Sequence, residues 1–197
     1  MTDDNAAVEN RILDAAARVF GSRVYHKASV QEIADRAGVG KGSIYRRFKD
    51  KNALLIASAR IMMEQLAREL LAGMDIDRPE DSVEKLVQTY IRFFRENPHF
   101  PELVIQVRAA IVTSGDKPDD LYVVEAEDEI IQLVEEAQAQ GVIRDLPPGD
   151  VIYAVRSILY GAVFFQGFSG RDPGSPTLAA TLVETISHGI LEAKHRN

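Results

Sequence analysis

Apolar residues recur along most of this chain at the three- and four-residue spacing of one helix face, and no stretch alternates strictly enough to predict a strand. The first run carries Ile12, Ala16, Val19 and Phe20 and is expected to stop at Gly21. Ser29 opens the next as N-cap, with Glu32 three residues on completing a capping box, Ile33 and Ala37 facing inward, and Gly38 closing the helix. After the Val39-Gly40 turn, a third short helix is expected from 41 to about 48, with Ile44 and Phe48 four apart on its buried side. Asp50 then caps a longer helix striped by Leu55, Ala59, Met62, Leu66 and Leu70 and ending near Gly73.

The second half continues in the same period. Residues 74–81, with Pro79, read as a connector. Residues 82–96 (Val83, Leu86, Val87, Tyr90, Ile91, Phe94) form an amphipathic helix stopped before Pro98. Helices follow over 102–113 and 120–140, separated by the loop SGDKPDD, and LPPGD marks the next break. Asp150 caps a markedly apolar helix from 151 to about 168, and after SGRDPGSP a last helix runs from 177 to about 194. The expected fold is all-α with about nine helices. A three-helix head spans 1–52, and a larger helical body spans 53–197.

Charge sharpens that division. The whole chain of 197 residues carries a net charge of -7, yet between positions 23 and 51 there are eight Lys or Arg against three acids. A small basic head on an acidic body can dock on a polyanion while the body stays clear of it, so the overall charge does not argue against nucleic acid. The absence of cysteine excludes disulfides, thiolate catalysis and Cys-ligated zinc. The polar, acidic N-terminus does not resemble a signal peptide, and no apolar run approaches the ~18 residues of a membrane span, so the expectation is a cytoplasmic protein without a membrane partner.

Two short helices joined by a glycine turn, the second rich in Lys, Ser, Tyr and Arg, match what a helix-turn-helix requires. Its first helix lies across the DNA backbone, and the N-terminal residues of the second reach base edges. On this reading Ser29 is both cap and phosphate donor at a helix N-terminus. Lys41 and Ser43 lie where bases are contacted, and Gly42 allows close approach. Tyr45, Arg46 and Lys51 are placed to hold phosphates and set the register. Other signals are weaker. GVGKGS lacks both the first glycine of a phosphate loop and its Ser or Thr after the lysine. Ser82-x-x-Lys85 falls at a helix start, where Ser is an ordinary cap. The acids at 125, 127–129, 135 and 136 have no histidine nearby and read as a solvated face, and the four histidines form no ligand pair. No catalytic residue, metal site or cofactor is expected.

At these positions the chain resembles the TetR/AcrR family of transcriptional regulators. It carries Phe20-Gly21, then SVQEIADRAGV over 29–39, then Tyr45-Arg46-Arg47-Phe48, Lys51 and the pair Leu54-Leu55, in the family's order over about fifty residues. Gly40 stands where the family often has Ser, which removes one hydroxyl from the turn. The body resembles the family only in outline, through its helix count and the AQAQGVIRD stretch. The resemblance implies a DNA-binding regulator, more often a repressor, acting on a palindromic operator in double-stranded DNA. It further implies a homodimer built from the last two helices of each subunit and an effector pocket in the body.

The residues bear on both of those. The penultimate helix is apolar almost all round, with Val155, Leu159, Ala162, Val163 and Phe165 on it and Gly161 and Gly167 permitting close approach, and the last repeats Leu178, Leu182, Ile186 and Ile190 every four residues. That pattern suits a partner helix; it also suits closure of a single subunit's core. For an unidentified small-molecule effector the pointers are Tyr90, Phe93, Phe94, Gln106, Arg108, Tyr160 and Phe164. Arg108 sits inside the apolar run VIQVRAAIV, where burial would demand an anionic partner, either a ligand carboxylate or a neighbouring acid; the alternative is a side chain that reaches solvent. The rival to a regulator is a helical adaptor that binds protein through the late helices and no longer reads DNA.

Overall fold

The computed structural model describes residues 2–114, 127–164, 172 and 174–195. Among them are nine α-helices and no β-strand. The described chain divides into two compact units. One runs from the N-terminus to Glu64 and takes in the helix after Asn97; the other holds Gln65–Glu96 and everything described from Glu127 on. The expected stretches 115–126 and 165–168, with Phe165 and Gly167, lie outside the described residues.

In the first unit, α1 (Thr2–Ser22) packs against α2 (Val30–Ala37) and against α6 (Phe100–Ser114), with a 3-10 turn at Tyr25–Lys27 between α1 and α2. Ile12, Ala16, Phe20, Ile33, Ala34, Leu54 and Leu55 are fully enclosed, so the stripes read from the sequence do form the core. Gly21 does not end α1, which continues to Ser22. A Cβ at Gly21 would lie 2.2 Å from the His99 carbonyl oxygen, so the position is glycine because the chain entering α6 crosses it at backbone contact.

Ser29 caps α2 as expected, its Oγ accepting from the Gln31 N–H at 3.2 Å. The capping box is altered: the Glu32 carboxylate is drawn to the guanidinium groups of Arg23 and Arg36, each at 3.2 Å. Two charge-assisted pairs outweigh one neutral amide for that carboxylate. Gly38 ends the helix in the left-handed region (φ 67°, ψ 38°), a conformation costly for any residue with a Cβ. The third helix, α3 (Lys41–Tyr45), is shorter than the sequence suggests. Its last residues relax into turns in which the Phe48 N–H still donates to the Ile44 carbonyl at 2.9 Å, which carries Phe48 into the core beside Ile44. Asp50 caps α4 (Lys51–Leu71) through its side chain, accepting from the Ala53 N–H at 2.8 Å.

In the second unit the end of α4 leads to α5 (Pro79–Glu96), then α7 (Glu127–Ala139), α8 (Pro148–Phe164) and α9 (Pro176–Ile190). Helix α5 starts three residues earlier than expected, because proline is favoured in a first turn, where its missing N–H costs nothing. Ser82 is therefore not its cap. Its hydroxyl accepts from the Asp75 N–H and donates to the Asp75 carbonyl, both at 2.8 Å, and ties the connector to the helix. The buried face of α5 (Val83, Val87, Tyr90, Ile91, Phe93, Phe94) packs on α8 and α9. Helix α9 stops at Ile190, not 194, because Leu191 turns extended and forms a bridge with Ile143, the Arg144 N–H donating to Ile190 at 2.9 Å and Glu192 to Val142 at 3.0 Å.

Candidate functional site

Helix α3 is one and a half turns long and cannot be stable by itself, so its orientation is set by what it buries. Ile44 and Phe48 are enclosed, and this turns the other side outward: Lys41, Gly42, Tyr45 and Arg46 are exposed and Ser43 is half-buried. Tyr45 is 46% exposed, unusual for an aromatic side chain and suited to a phenol that meets a partner. The face is organised before any partner arrives. Arg46 donates to Ser43 Oγ at 2.9 Å, Arg47 to the Ser43 carbonyl at 3.1 Å and also to Asn5 Oδ1, and the Lys41 ammonium stands 5.8 Å from the Tyr45 ring. A Cβ at Gly42 would meet nothing within 4 Å, so inside the subunit the position has no need of glycine. Ser29 is exposed at the start of α2, its hydroxyl still able to donate while it accepts from Gln31.

Lys51 is placed differently from a free phosphate ligand. Its ammonium donates to the Tyr25 carbonyl and lies 4.3 Å from the Tyr25 ring centroid, which pins the start of α4 to the turn before α2. Partial burial lowers its pKa, and burial together with the Asp50 carboxylate raises that of Tyr25.

The residues read as pocket candidates are dispersed. Tyr90 lines an apolar cavity of about 210 Å³ in the second unit, together with side chains of α4, α7, α8 and α9. Phe94 lies 4.7 Å from Tyr90 and Phe93 5.9 Å from Phe94, ring to ring, as an aromatic cluster in the core behind the cavity wall. Tyr160 and Phe164 stack on each other at 3.6 Å. Gln106 belongs to the first unit, buried, where its amide donates to the carbonyls of Phe20 at 2.5 Å and Arg23 at 2.9 Å and approaches Glu102 at 3.3 Å. It thus satisfies carbonyls left over at the end of α1. Arg108 is exposed on α6, so of the two alternatives the sequence leaves open, the side chain that reaches solvent is the one found. The cation on the cavity wall is Arg156 of α8, which the sequence reading passed over although IYAVRSIL carries the same signal as VIQVRAAIV, a charge inside an apolar helix. Burial, then the proximity of Tyr160, pushes the Tyr90 phenol above its ordinary range, and Arg156 opposes the shift.

The seam residues of the late helices turn into their own subunit. Leu159, Val163, Leu182 and Ile186 are buried, Val155 and Ile190 line the cavity, and Ala162 and Leu178 are half-buried. The apolar surface α8 leaves open is the adjoining face, where Tyr153 is 72% and Ile158 36% exposed beside Ala154. Because α8 is apolar all round, periodicity does not say which side faces inward. Among the described residues no three His, Asp or Glu approach as a metal site, and no helix is long and apolar enough to cross a membrane.

Comparison with known proteins bears on the head first. Residues 12–58 match the family model described as bacterial regulatory proteins, tetR family. An HTH-type transcriptional repressor of Mycobacterium tuberculosis is 28% identical over 190 residues, covering 92% of this chain and 94% of its own. The fatty acid metabolism regulator protein of Bacillus subtilis is 34% identical over 103 residues, 52% of this chain and 49% of its own. Among solved structures, a TetR-family transcriptional regulator from Rhodococcus sp. superposes with a TM-score of 0.75 at 23% identity, covering 93% of this chain and 98% of that one. The fatty acid degradation regulator FadR of Bacillus halodurans gives 0.66 at 18% identity, covering 91% and 98%. With the helix-turn-helix in the first unit and an all-α fold among the described residues, residues 12–58 carry the head of the tetR family of bacterial regulatory proteins, and the chain is similar along most of its length to transcriptional regulators of that family, which supports a DNA-binding regulator.

Proposed function

We propose that this regulator is a homodimeric repressor that binds a palindromic operator and leaves it when a small molecule occupies the body. The observation that carries the reading is the outward face of α3, where Lys41, Ser43, Tyr45 and Arg46 stand together while Ile44 and Phe48 hold the helix from behind. Lys41 and Ser43 read base edges, with Gly42 allowing the helix to sit deep in the major groove. Ser29, Tyr45 and Arg46 hold phosphates, and Lys51 positions the turn at Tyr25 and adds its charge to the phosphate field. The name of the relative from M. tuberculosis, a transcriptional repressor aligned along nearly its whole length, supports the sign of regulation.

Dimerisation is supported by the apolar face of α8 around Tyr153 and Ile158, which a single subunit leaves to solvent. Two-fold symmetry then makes the operator a palindrome with half-sites about one helical turn, ~34 Å, apart or slightly more. For release, the effector must favour the unbound arrangement by a few kcal/mol over the bound one.

Selection of DNA from a random or genomic pool at ~150 mM salt, where non-specific phosphate binding is weak, tests the reading. An enriched palindrome is expected. Binding that is weak and indifferent to sequence would overturn it and favour the protein adaptor.

A further inference from the structure

We infer that the cavity of the second unit takes an uncharged, apolar small molecule of roughly eight non-hydrogen atoms. The inference rests on the reading of the body as an effector site and names the class of effector.

Side chains of α4, α5, α7, α8 and α9 line the cavity, and almost everything it meets is aliphatic. The polar side chains on the wall, those of Asp75, Ser82, Tyr90 and Arg156, are engaged elsewhere or uncharged. The Ser82 hydroxyl makes both of its hydrogen bonds to the Asp75 backbone. The Asp75 carboxylate accepts from the Asp77 N–H at 3.1 Å and lies 3.7 Å from Arg78, so it is tied into its own loop. Arg156 has a partner within the subunit. Tyr90 stays a neutral phenol through the physiological range, because burial raises its pKa. A charged ligand therefore gains nothing here. A carboxylate would meet Asp75 as well as Arg156, and an ammonium Arg156 as well as Asp75. In either case the hydration it gives up is not replaced, because the charges on the wall are already committed. An apolar molecule has no such hydration to lose and gains by leaving water for an aliphatic surface.

The wall is formed before any ligand arrives. Ile143 and Leu191 both line the cavity and are joined by a backbone bridge, with Arg144 donating to the Ile190 carbonyl at 2.9 Å and Glu192 to that of Val142 at 3.0 Å. A ligand entering it has little of the wall to order, which lowers the cost of binding. Size follows from the volume. An apolar cavity of about 150 Å³ accepts benzene, with six non-hydrogen atoms, so about 210 Å³ accommodates roughly eight. Ethylbenzene fits this description. Benzoate and benzylamine are close to it in shape and carry, at neutral pH, a negative and a positive charge.

The test is calorimetric titration of the full-length protein with ethylbenzene, benzoate and benzylamine at pH 7. Ethylbenzene is expected to bind at least about tenfold more tightly than either ion, as uncompensated loss of hydration demands. Val155→Phe, which fills the cavity from α8, should weaken ethylbenzene by about tenfold or more, and Leu133→Phe should do the same from α7, so a folding failure of one variant leaves the other to decide. Ethylbenzene should also raise the Tm of the parent and not that of a filled variant, since a ligand of the folded state alone stabilises it. Benzoate or benzylamine binding as tightly as ethylbenzene, no binding of ethylbenzene, or undiminished ethylbenzene affinity in the filled variants would each overturn the assignment. Release of selected operator DNA by ethylbenzene is read separately. Binding with the expected preference but without release keeps the site's chemistry and removes the effector role, whereas failure of the titrations removes the chemistry and leaves the regulator reading intact.

Discussion

Replacing Gly21 by Ala sets two physical effects against each other. Gly21 lies within α1, and by helix propensity alone Ala should stabilise the protein by about 1 kcal/mol. The structure opposes this, since the new methyl would lie 2.2 Å from the His99 carbonyl oxygen and 2.9 Å from the His99 carbonyl carbon. Ordinary contact would require α1 and the start of α6 to separate by about 1 Å, and overpacking of that kind costs about 1–3 kcal/mol, occasionally more. His99 is backbone at that point, so no rotamer change relieves the clash. An approach of 2.2 Å to a backbone atom puts the cost in the upper part of that range, about 2–3 kcal/mol, so the net loss is about 1–2 kcal/mol, which for a chain of this length lowers Tm by roughly 2–8 °C. Thermal unfolding followed by far-UV circular dichroism measures it. Gly42→Ala is the control, because a Cβ there meets nothing within 4 Å, and it should leave Tm unchanged or slightly raised. A Gly21→Ala protein as stable as the parent, or more so, would refute the claim that the close approach of the His99 backbone dictates glycine at this position.

Gly42→Ala should nevertheless weaken operator binding, by the loss of close approach to the groove; unchanged affinity in an electrophoretic mobility assay would show that the helix sits no deeper than a Cβ allows. Lys41→Ala and Ser43→Ala should change which bases are enriched in a DNA selection, whereas Tyr45→Phe and Lys51→Ala should weaken binding to all sequences, with Lys51→Ala reducing the salt slope by about one. Equal loss on cognate and random DNA for the first pair would remove them from base contact. Gln106→Leu leaves the carbonyls of Phe20 and Arg23 without their buried donor and should cost about 1–3 kcal/mol in urea unfolding, an effect a pocket residue would not have. Tyr90 links stability to alkaline pH. Its folded pKa lies above the ordinary value of 10.0, so its contribution is intact below pH 10 and is lost as pH rises beyond it. Tyr90→Phe should flatten that alkaline decline in a pH series of urea midpoints, and an identical decline in both proteins would refute the assignment.

Local chemistry determined much of this protein in advance. The 3.6-residue period specified the described helices, and short-range caps placed several of their ends: Ser29 before α2, Gly38 after it, Asp50 before α4. The outward face of α3 was legible for the same reason. With Ile44 and Phe48 four apart, only one side of so short a helix can face the core, and Lys41, Tyr45 and Arg46 are left outside. Where a helix is apolar all round, or a polar residue sits inside an apolar run, periodicity has no direction to offer, and tertiary packing decided. It turned Leu159, Val163, Leu182 and Ile186 inward and left Tyr153 and Ile158 open. It committed Gln106 to the end of α1, exposed Arg108 and brought Arg156 to the cavity, although both arginines stand in the same kind of apolar sequence. The reason is physical: caps and stripes act over one or two turns and are written in neighbouring residues, whereas burial of a particular side depends on which distant helix arrives there.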